Sequence, residues 1–250
     1  MVRFLYILLC ILFAVNSHGQ DAFLIGYKSI KDSDTYMVGK DILYYSKKDS
    51  FSVYYEGENI FFDERISKDS VRFKSGDYLI TDIHKNMIFF QTEIFDKIYK
   101  VKENIPQMNW QLTNETKEKD GIILFKAFTT FRGRNYTAWY NPEIPISVGP
   151  WKFNGLPGLT YEVYDDAEKY KFSWFLTYLQ KSDVKKIKVD LSKAFIPINE
   201  YVDKLDYDYK NYKNMTDARL PEYIHVIDSK ITGLENYRQK KREIKYEWEN

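Results

Sequence analysis

Two arginines flank a single glycine in the segment FRGRNY, at positions Arg132 and Arg134. A guanidinium group presents a planar fork of donors that matches a carboxylate, so this pair could bind an anion. Apolar residues alternate with polar ones on either side, which predicts a hairpin with Gly133 at its tip. The other interpretation is that both arginines are surface residues paired with the plentiful Asp and Glu side chains. The sequence leaves both interpretations open.

The loop GPWKFNGLPGL, residues 149–159, combines turn-forming residues with large apolar ones. Asn154-Gly155 favours a tight turn, and the stretch LPGL fits a type II turn in which Gly158 has a positive φ. These reversals would bring the apolar side chains together, either as a small core or as the apolar lip of a cavity. No loop residue is expected to act as a base, nucleophile or metal ligand, and Lys152 is expected at the surface.

These two segments and the strand between them supply the candidate site residues. The candidate ligand-binding residues are Arg132, Arg134, Trp139, Trp151 and Phe153. The positions expected to set the conformation of the loop are Gly149, Asn154, Gly155, Leu156, Pro157, Gly158 and Leu159. No residue is assigned a catalytic role.

Other site chemistry finds little support in the sequence. His84 and His225 are the only histidines after residue 19, and Cys10 is the only cysteine. A catalytic zinc ion needs three protein ligands, so we predict no metal site and no cofactor. Neither a nucleophilic serine motif nor a phosphate-binding glycine motif occurs. Carboxylates are abundant, which leaves a hydrolase with carboxylate acid and base groups as an alternative.

The elements that would position the candidate residues are mostly short strands between Ala22 and Gln180. Alternation such as Tyr161-Glu162-Val163-Tyr164, together with 22 Tyr and 17 Phe in 250 residues, is typical of a sheet with one wet face. We predict a mainly β fold, α+β at the C-terminus, with a curved antiparallel sheet that is barrel-like or sandwich-like. Helical spacing of apolar residues predicts an amphipathic helix at 197–213 that packs on the sheet. The charged stretch 234–250 could be a surface helix or a tail.

The first nineteen residues predict export. Arg3 is followed by an apolar run from Phe4 to Val15 and by the small-residue pattern Ser17-His18-Gly19, which is typical of a signal peptide. We therefore expect a signal peptide at 1–19 and a single β-rich domain at 20–250. The 37 Lys and Arg residues nearly balance the 36 Asp and Glu residues, which argues against nucleic-acid binding. No second long apolar run occurs, so no membrane span is expected after cleavage.

One block of the chain resembles a known family. The residues FRGRNYTAWYNPEIPIS followed by GPWKF and GLPGL resemble the GLPGLI family of exported proteins from Bacteroidetes, over about Gly121 to Val163. Two positions depart from the family pattern, since Thr160 replaces the last isoleucine of the motif and Leu124 stands where many members have a cysteine. The resemblance implies a periplasmic or outer-membrane-associated protein, with an outer-membrane uptake receptor or another envelope protein as partner. The family has no assigned function, so no catalytic residue carries over.

The residues and the resemblance together favour an exported, non-enzymatic envelope protein. It would bind an apolar or mixed ligand, or a partner, on a concave sheet lined with aromatic residues. The alternative is a periplasmic hydrolase. Two buried carboxylates that face each other in a pocket would favour the hydrolase, because acid and base groups must converge within hydrogen-bond reach.

Overall fold

The computed structural model describes residues 22–32, 36–57, 70–71, 77–94, 97–182, 186–187, 194–219 and 234–249. The expected signal peptide, with Cys10, lies outside these residues, and so does His225.

The described chain is mostly strand, which confirms the predicted fold class. The strands are β1 (Ala22–Asp32), β2 (Tyr36–Ser46), β3 (Phe51–Tyr55), β4 (Ser70–Val71), β5 (Tyr78–Asp82), β6 (Met87–Ile94), β7 (Lys97–Asn104), β8 (Gln111–Lys119), β9 (Ile122–Phe131), β10 (Arg134–Asn141), β11 (Leu159–Asp165), β12 (Lys171–Lys181), β13 (Lys186–Ile187) and β14 (Ile196–Pro197). The helices are α1 (Ile198–Arg219) and α2 (Leu234–Gln239).

Twelve of these strands form one sheet in the order β14-β7-β6-β5-β3-β2-β1-β12-β11-β10-β9-β8. Neighbours are antiparallel except β14 and β7, which are parallel. The long pairing of β1 with β12, from Phe23 opposite Lys181 to Asp32 opposite Lys171, joins the first half of the sheet to the second. The sheet stays open, with β14 and β8 at its edges in the described chain, so it is not a closed barrel.

One face of the sheet carries the main core because side chains alternate along each strand. Ile25 and Tyr27 on β1 and Leu43 on β2 belong to this core, together with the aromatic residues Trp151 and Trp174. The core is rich in aromatic residues, and residues of the loop 149–159 lie inside it.

The predicted helix at 197–213 is present as α1, which continues to Arg219. Its residues Tyr201, Val202 and Leu205 pack against Val101 of β7, and Tyr237 of α2 joins the same cluster. The charged stretch after residue 234 begins with α2 and continues as irregular chain with further residues packed in this cluster. We call residues 237–249 the C-terminal segment.

Gly158 does not have the positive φ that the LPGL sequence suggested, so the type II turn expected there was wrong. The need for glycine has another cause: a Cβ at Gly158 would lie 2.2 Å from the carbonyl oxygen of Asn141 and 2.7 Å from the Cα of Pro142. Gly155 does have a positive φ, of 91°, as the Asn-Gly pair predicted, and a Cβ there would meet open space.

We expect Gly158→Ala to lower the free energy of unfolding by about 2–3 kcal/mol, because two backbone segments must separate to admit the methyl group. Gly155→Ala is the matched control and should cost only about 1–2 kcal/mol, which is the penalty of the left-handed backbone alone. Urea unfolding of both variants measures the difference. A smaller loss for Gly158→Ala than for Gly155→Ala would contradict the close approach seen in the structure.

Candidate functional site

A cavity of about 430 Å³ lies between the main-core face of the sheet, helix α1 and the C-terminal segment. The sheet contributes residues from β1, β2, β3, β5, β6 and β12, and α1 contributes Tyr201, Val202 and Leu205. Tyr237 to Glu243 supply most of the wall from the C-terminal segment. The position of that segment therefore determines the shape of the cavity.

Arg134 and Tyr136 on β10 bind the backbone of the C-terminal segment. The Nε and Nη2 atoms of Arg134 donate to the carbonyl oxygens of Lys241 and Gln239 at 2.7 and 2.6 Å, and the Tyr136 hydroxyl donates to the carbonyl of Arg242 at 2.9 Å. These three bonds satisfy the carbonyl group at the end of α2 and two carbonyl groups in the irregular stretch that follows it. Arg134 thus binds the protein's own chain.

Arg132 binds the same segment through its backbone. It precedes Gly133 at the tip of the β9–β10 hairpin, and both residues have a positive φ, as a two-residue hairpin turn requires. The carbonyl oxygen of Arg132 accepts hydrogen bonds from the N–H groups of Ile244 at 2.8 Å and Lys245 at 3.2 Å. The interpretation of Arg132 and Arg134 as surface residues was wrong, since both side chains are almost fully buried.

The side chain of Arg132 lies in a buried charge network with Lys152. The Nη2 of Arg132 lies 2.7 Å from Glu103, its Nη1 pairs with Glu243, and its Nε lies 2.9 Å from Glu247. Lys152 Nζ lies 2.5 Å from Glu103 and 2.7 Å from Glu243. Burial alone would raise the pKa of Glu243, but the charges of Lys152 and Arg132 hold this pKa below its usual value.

Lys152 is 2% exposed, so the expected surface position was wrong. The loop that contains it places a buried positive charge against Glu243 of the C-terminal segment. A buried ammonium is tolerated only when it is paired, and here two carboxylates pair with it.

An aromatic platform lies under the cavity. Trp151 stacks on Trp174 with ring centroids 6.3 Å apart and planes 2° apart, and Phe153 meets both rings edge-on at 5.2 Å. The guanidinium of Arg242 lies over three rings, at 5.7 Å from Trp151, 5.6 Å from Phe172 and 5.4 Å from Trp174. This cation is held from its other side by both carboxylate oxygens of Glu56.

Two further carboxyl groups line the cavity. Asp41 accepts a hydrogen bond from the Tyr54 hydroxyl, and Tyr54 in turn accepts one from Trp174 Nε1 at 3.0 Å. Burial raises the pKa of Asp41, and the charge of Glu56 raises it further. The pKa of Asp77 is raised by the same two causes. Both carboxyl groups therefore hold a proton more readily than an exposed aspartate does.

The five candidate ligand-binding residues are placed in four different ways. Trp151 lines the cavity. Phe153 packs beneath it in the main core, and the two arginines bind the C-terminal segment. Trp139 points to the opposite face of β10, where Lys117 lies 4.4 Å from its ring centroid.

Several residues of the site could not be identified from the sequence. Asp41 and Glu56 lie 15 positions apart and come together only because Ile42 of β2 pairs with Tyr55 of β3. Arg242 belongs to a run of charged residues that resembles a solvated surface. Nothing in the local sequence distinguishes these residues from their exposed neighbours.

The described part of the chain contains no group of three or more His, Cys, Asp or Glu residues that could hold a metal ion. None of the helices among the described residues is long and apolar enough to cross a membrane.

In a comparison with known proteins, one region of the chain matches a family of unknown function. The model of that family, described as "Protein of unknown function (Porph_ging)", matches residues 97–162. These residues include Glu103, Arg132, Arg134 and Lys152, which hold the C-terminal segment. No curated protein matches the chain.

Solved structures are only distantly similar. A structure of PNGF-II is 15% identical with a TM-score of 0.48, and the match covers 73% of this chain. The chain spans only 32% of that structure's length. An uncharacterized conserved protein from Thermus thermophilus is 7% identical, with 76% of this chain and 98% of that chain covered and a TM-score of 0.40. A LolA superfamily protein from Nitrosomonas europaea is 10% identical, with 66% and 88% covered and a TM-score of 0.30. Over residues 97–162, therefore, the chain is similar to a family without an assigned function.

Proposed function

We propose that this chain is an exported, non-enzymatic binding protein whose cavity holds a small molecule with apolar and polar parts. The observation that carries the proposal is the cavity beneath the C-terminal segment. Its volume of about 430 Å³ lies within the roughly 300–1,000 Å³ that is usual for ligand sites. Its wall combines apolar side chains such as Leu79, Phe90 and Val202 with many charged groups, which suits a ligand that has both apolar and polar parts.

The compartment and the family form part of the same proposal. The resemblance to the GLPGLI family over Gly121 to Val163 overlaps the matched residues 97–162. We take residues 1–19 as a signal peptide and residues 20–250 as a single domain in the periplasm or at the outer membrane. An outer-membrane uptake receptor is the partner that the resemblance favours.

Native mass spectrometry of protein purified from its own envelope fraction tests this proposal. We expect a chain that begins at Gln20 and carries an added mass, which is lost after extraction with organic solvent. Met37 lines the cavity on the same face of the sheet as Lys31 and is 52% exposed, so Met37→Trp should obstruct the opening and lower the occupied fraction several-fold without unfolding the protein. Ile98 on β7 is 58% exposed and lies outside the cavity, so Ile98→Trp is the matched control.

A chain that retains Met1, or one that carries no added mass under any gentle condition, would contradict the proposal. Equal loss of the added mass in Met37→Trp and Ile98→Trp would place the ligand elsewhere on the protein.

A hydrolase is the second candidate, and one observation favours it. Asp41 and Asp77 line the same cavity, and a raised pKa suits a carboxyl group to acid catalysis. The binding role is favoured because the nearby groups are already engaged with one another: Tyr54 donates to Asp41, and Arg242 binds Glu56, the carboxylate whose charge acts on Asp41 and Asp77. Asp41→Asn separates the two candidates: it would abolish turnover by a hydrolase and leave a bound ligand in place in a binding protein.

A further inference from the structure

Two lysines on the cavity wall have no carboxylate partner among the residues that the structure describes. Lys31 lies on β1 and Lys241 on the C-terminal segment, and both line the cavity. The ammonium of Lys31 lies 6.0 Å from the ring centroid of Phe172, and that of Lys241 lies 5.3 Å from the ring centroid of Tyr209. Within the described chain, neither forms an ion pair within 4 Å.

Three other cations of the wall are paired with carboxylates of the same chain. Arg242 is bound by both carboxylate oxygens of Glu56, Lys152 by Glu103 and Glu243, and Arg238 by Asp206 at a contact 2.5 Å long. Lys31 and Lys241 are therefore half-buried charges on a wall where Arg242, Lys152 and Arg238 are each paired with a carboxylate.

The electrostatics at the two lysines favour a negative charge between them. Burial lowers the pKa of Lys31, and the positive charges of Lys241 and Arg242 lower it further. Burial also lowers the pKa of Lys241, and Arg242 adds to the effect. A cation that is partly desolvated and repelled by its neighbours gains free energy when an anion approaches.

The nearest carboxylates are engaged with other donors. Glu56 is near enough to Lys31 to raise its pKa, and Asp77 acts in the same way on Lys241. However, Glu56 accepts both bonds from Arg242, and Asp77 accepts bonds from the Thr92 hydroxyl at 3.2 Å and from the N–H of Glu93 at 3.1 Å. Neither carboxylate lies within the 4.0 Å ion-pair distance of Lys31 or Lys241. Both ammonium groups can therefore still pair with an external anion.

We propose that the cavity binds an anionic amphiphile whose carboxylate or phosphate head group lies between Lys31 and Lys241. The apolar part lies against apolar wall residues on the same face of the sheet as Lys31, such as Met37, Leu79 and Phe90, and Met37 is 52% exposed near the start of β2. This inference rests on the proposed binding function and names the class of its ligand.

Isothermal titration calorimetry with four probes tests the inference on the mature chain. The probes are decanoate, decanol, decyltrimethylammonium and inorganic phosphate. We expect decanoate to bind about tenfold more tightly than decanol, because charge-assisted hydrogen bonds add to the apolar contact. Decyltrimethylammonium and phosphate should bind more weakly still, since one has the wrong charge and the other lacks the apolar part.

Matched variants locate the effect. Lys31→Met and Lys241→Met keep much of the side-chain volume and should each weaken decanoate binding by about tenfold while leaving decanol binding unchanged. Lys28 is exposed and lies on β1 with its side chain on the opposite face from Lys31, so Lys28→Met should leave both affinities unchanged. A thermal melt of each variant confirms that it is folded.

Three results would overturn the inference. Equal affinities for decanoate and decanol, with no effect of either cavity variant, would exclude the anion site but leave an amphiphile-binding cavity. Phosphate binding as tight as that of decanoate would indicate a site for free anions. Failure of every probe to bind, together with the absence of a co-purified ligand, would contradict the proposed function itself.

Discussion

Lys152→Ala is expected to lower the free energy of unfolding by about 3–5 kcal/mol, which is the usual cost of removing one partner from a buried ion pair. The reason is that the ammonium of Lys152 belongs to a buried charge network. Glu103 and Glu243 both contact Lys152 and, among the residues that the structure describes, would keep only Arg132 as a buried cationic partner. Chemical denaturation of the wild type and the variant measures the loss.

Two controls make this result specific. Lys85 forms a surface ion pair with Asp82 and its side chain is 65% exposed, so Lys85→Ala should change stability by less than about 1 kcal/mol. The double variant Lys152→Met with Glu103→Gln removes one charge of each sign and should lose less than the sum of the two single changes. Strict additivity, or a silent Lys152→Ala, would contradict the buried network.

Trp151→Ala is expected to cost about 3–5 kcal/mol, as the truncation of a large buried aromatic side chain does. The ring contacts Phe131, Phe153 and Trp174 and supports the guanidinium of Arg242. Trp151 has a φ of 52°, in the left-handed region that bulky residues rarely adopt. Alanine at this position would have the same backbone strain. The decrease in the free energy of unfolding therefore measures the lost packing of the ring and not a change in backbone strain.

Trp248→Ala is the matched control for Trp151→Ala. Trp248 is 42% exposed, and its main ring contact is a stack on Tyr246 with centroids 4.8 Å apart. We expect a loss of about 1 kcal/mol or less from this change. Thermal or urea unfolding that ranks the two variants equally would show that Trp151 is not the centre of the aromatic platform.

The sequence predicts the elements of this fold better than the contacts between them. Alternating apolar residues identify the strands, and the spacing after Pro197 identifies α1, because both patterns are local consequences of one buried face. The glycine between Arg132 and Arg134 likewise predicts the hairpin tip. These features depend on residues only a few positions apart.

The buried charges could not be predicted in this way. Lys152 stands in a loop that suggests a surface position, and its partner Glu243 lies 91 residues later in the chain. The Pro157-Gly158 pair suggested a positive φ, but the requirement for glycine comes from Asn141 on a different strand. In each case the deciding neighbour is distant in sequence and adjacent only in the folded sheet.

The distance in sequence between contacting residues also explains why the partners of Arg132 and Arg134 were not predicted. A carboxylate ligand was one interpretation of Arg132 and Arg134, and carboxylates do bind Arg132, but they belong to Glu103, Glu243 and Glu247 of the same chain. The chemistry of the guanidinium group was predictable from the sequence, whereas the identity of its partners was not.

Hydrogen exchange at the backbone amides of Ile244 and Lys245 tests most directly whether the C-terminal segment is docked on the sheet and encloses the cavity. Both amides donate to the carbonyl oxygen of Arg132, next to the buried charge network. The structure predicts strong protection of both amides in the wild type, comparable to that of amides in the central strands, and a large loss of this protection in Lys152→Ala. Exchange of these two amides in the wild type at the rate of an unstructured chain would contradict the docked segment, and with it the enclosed ligand site.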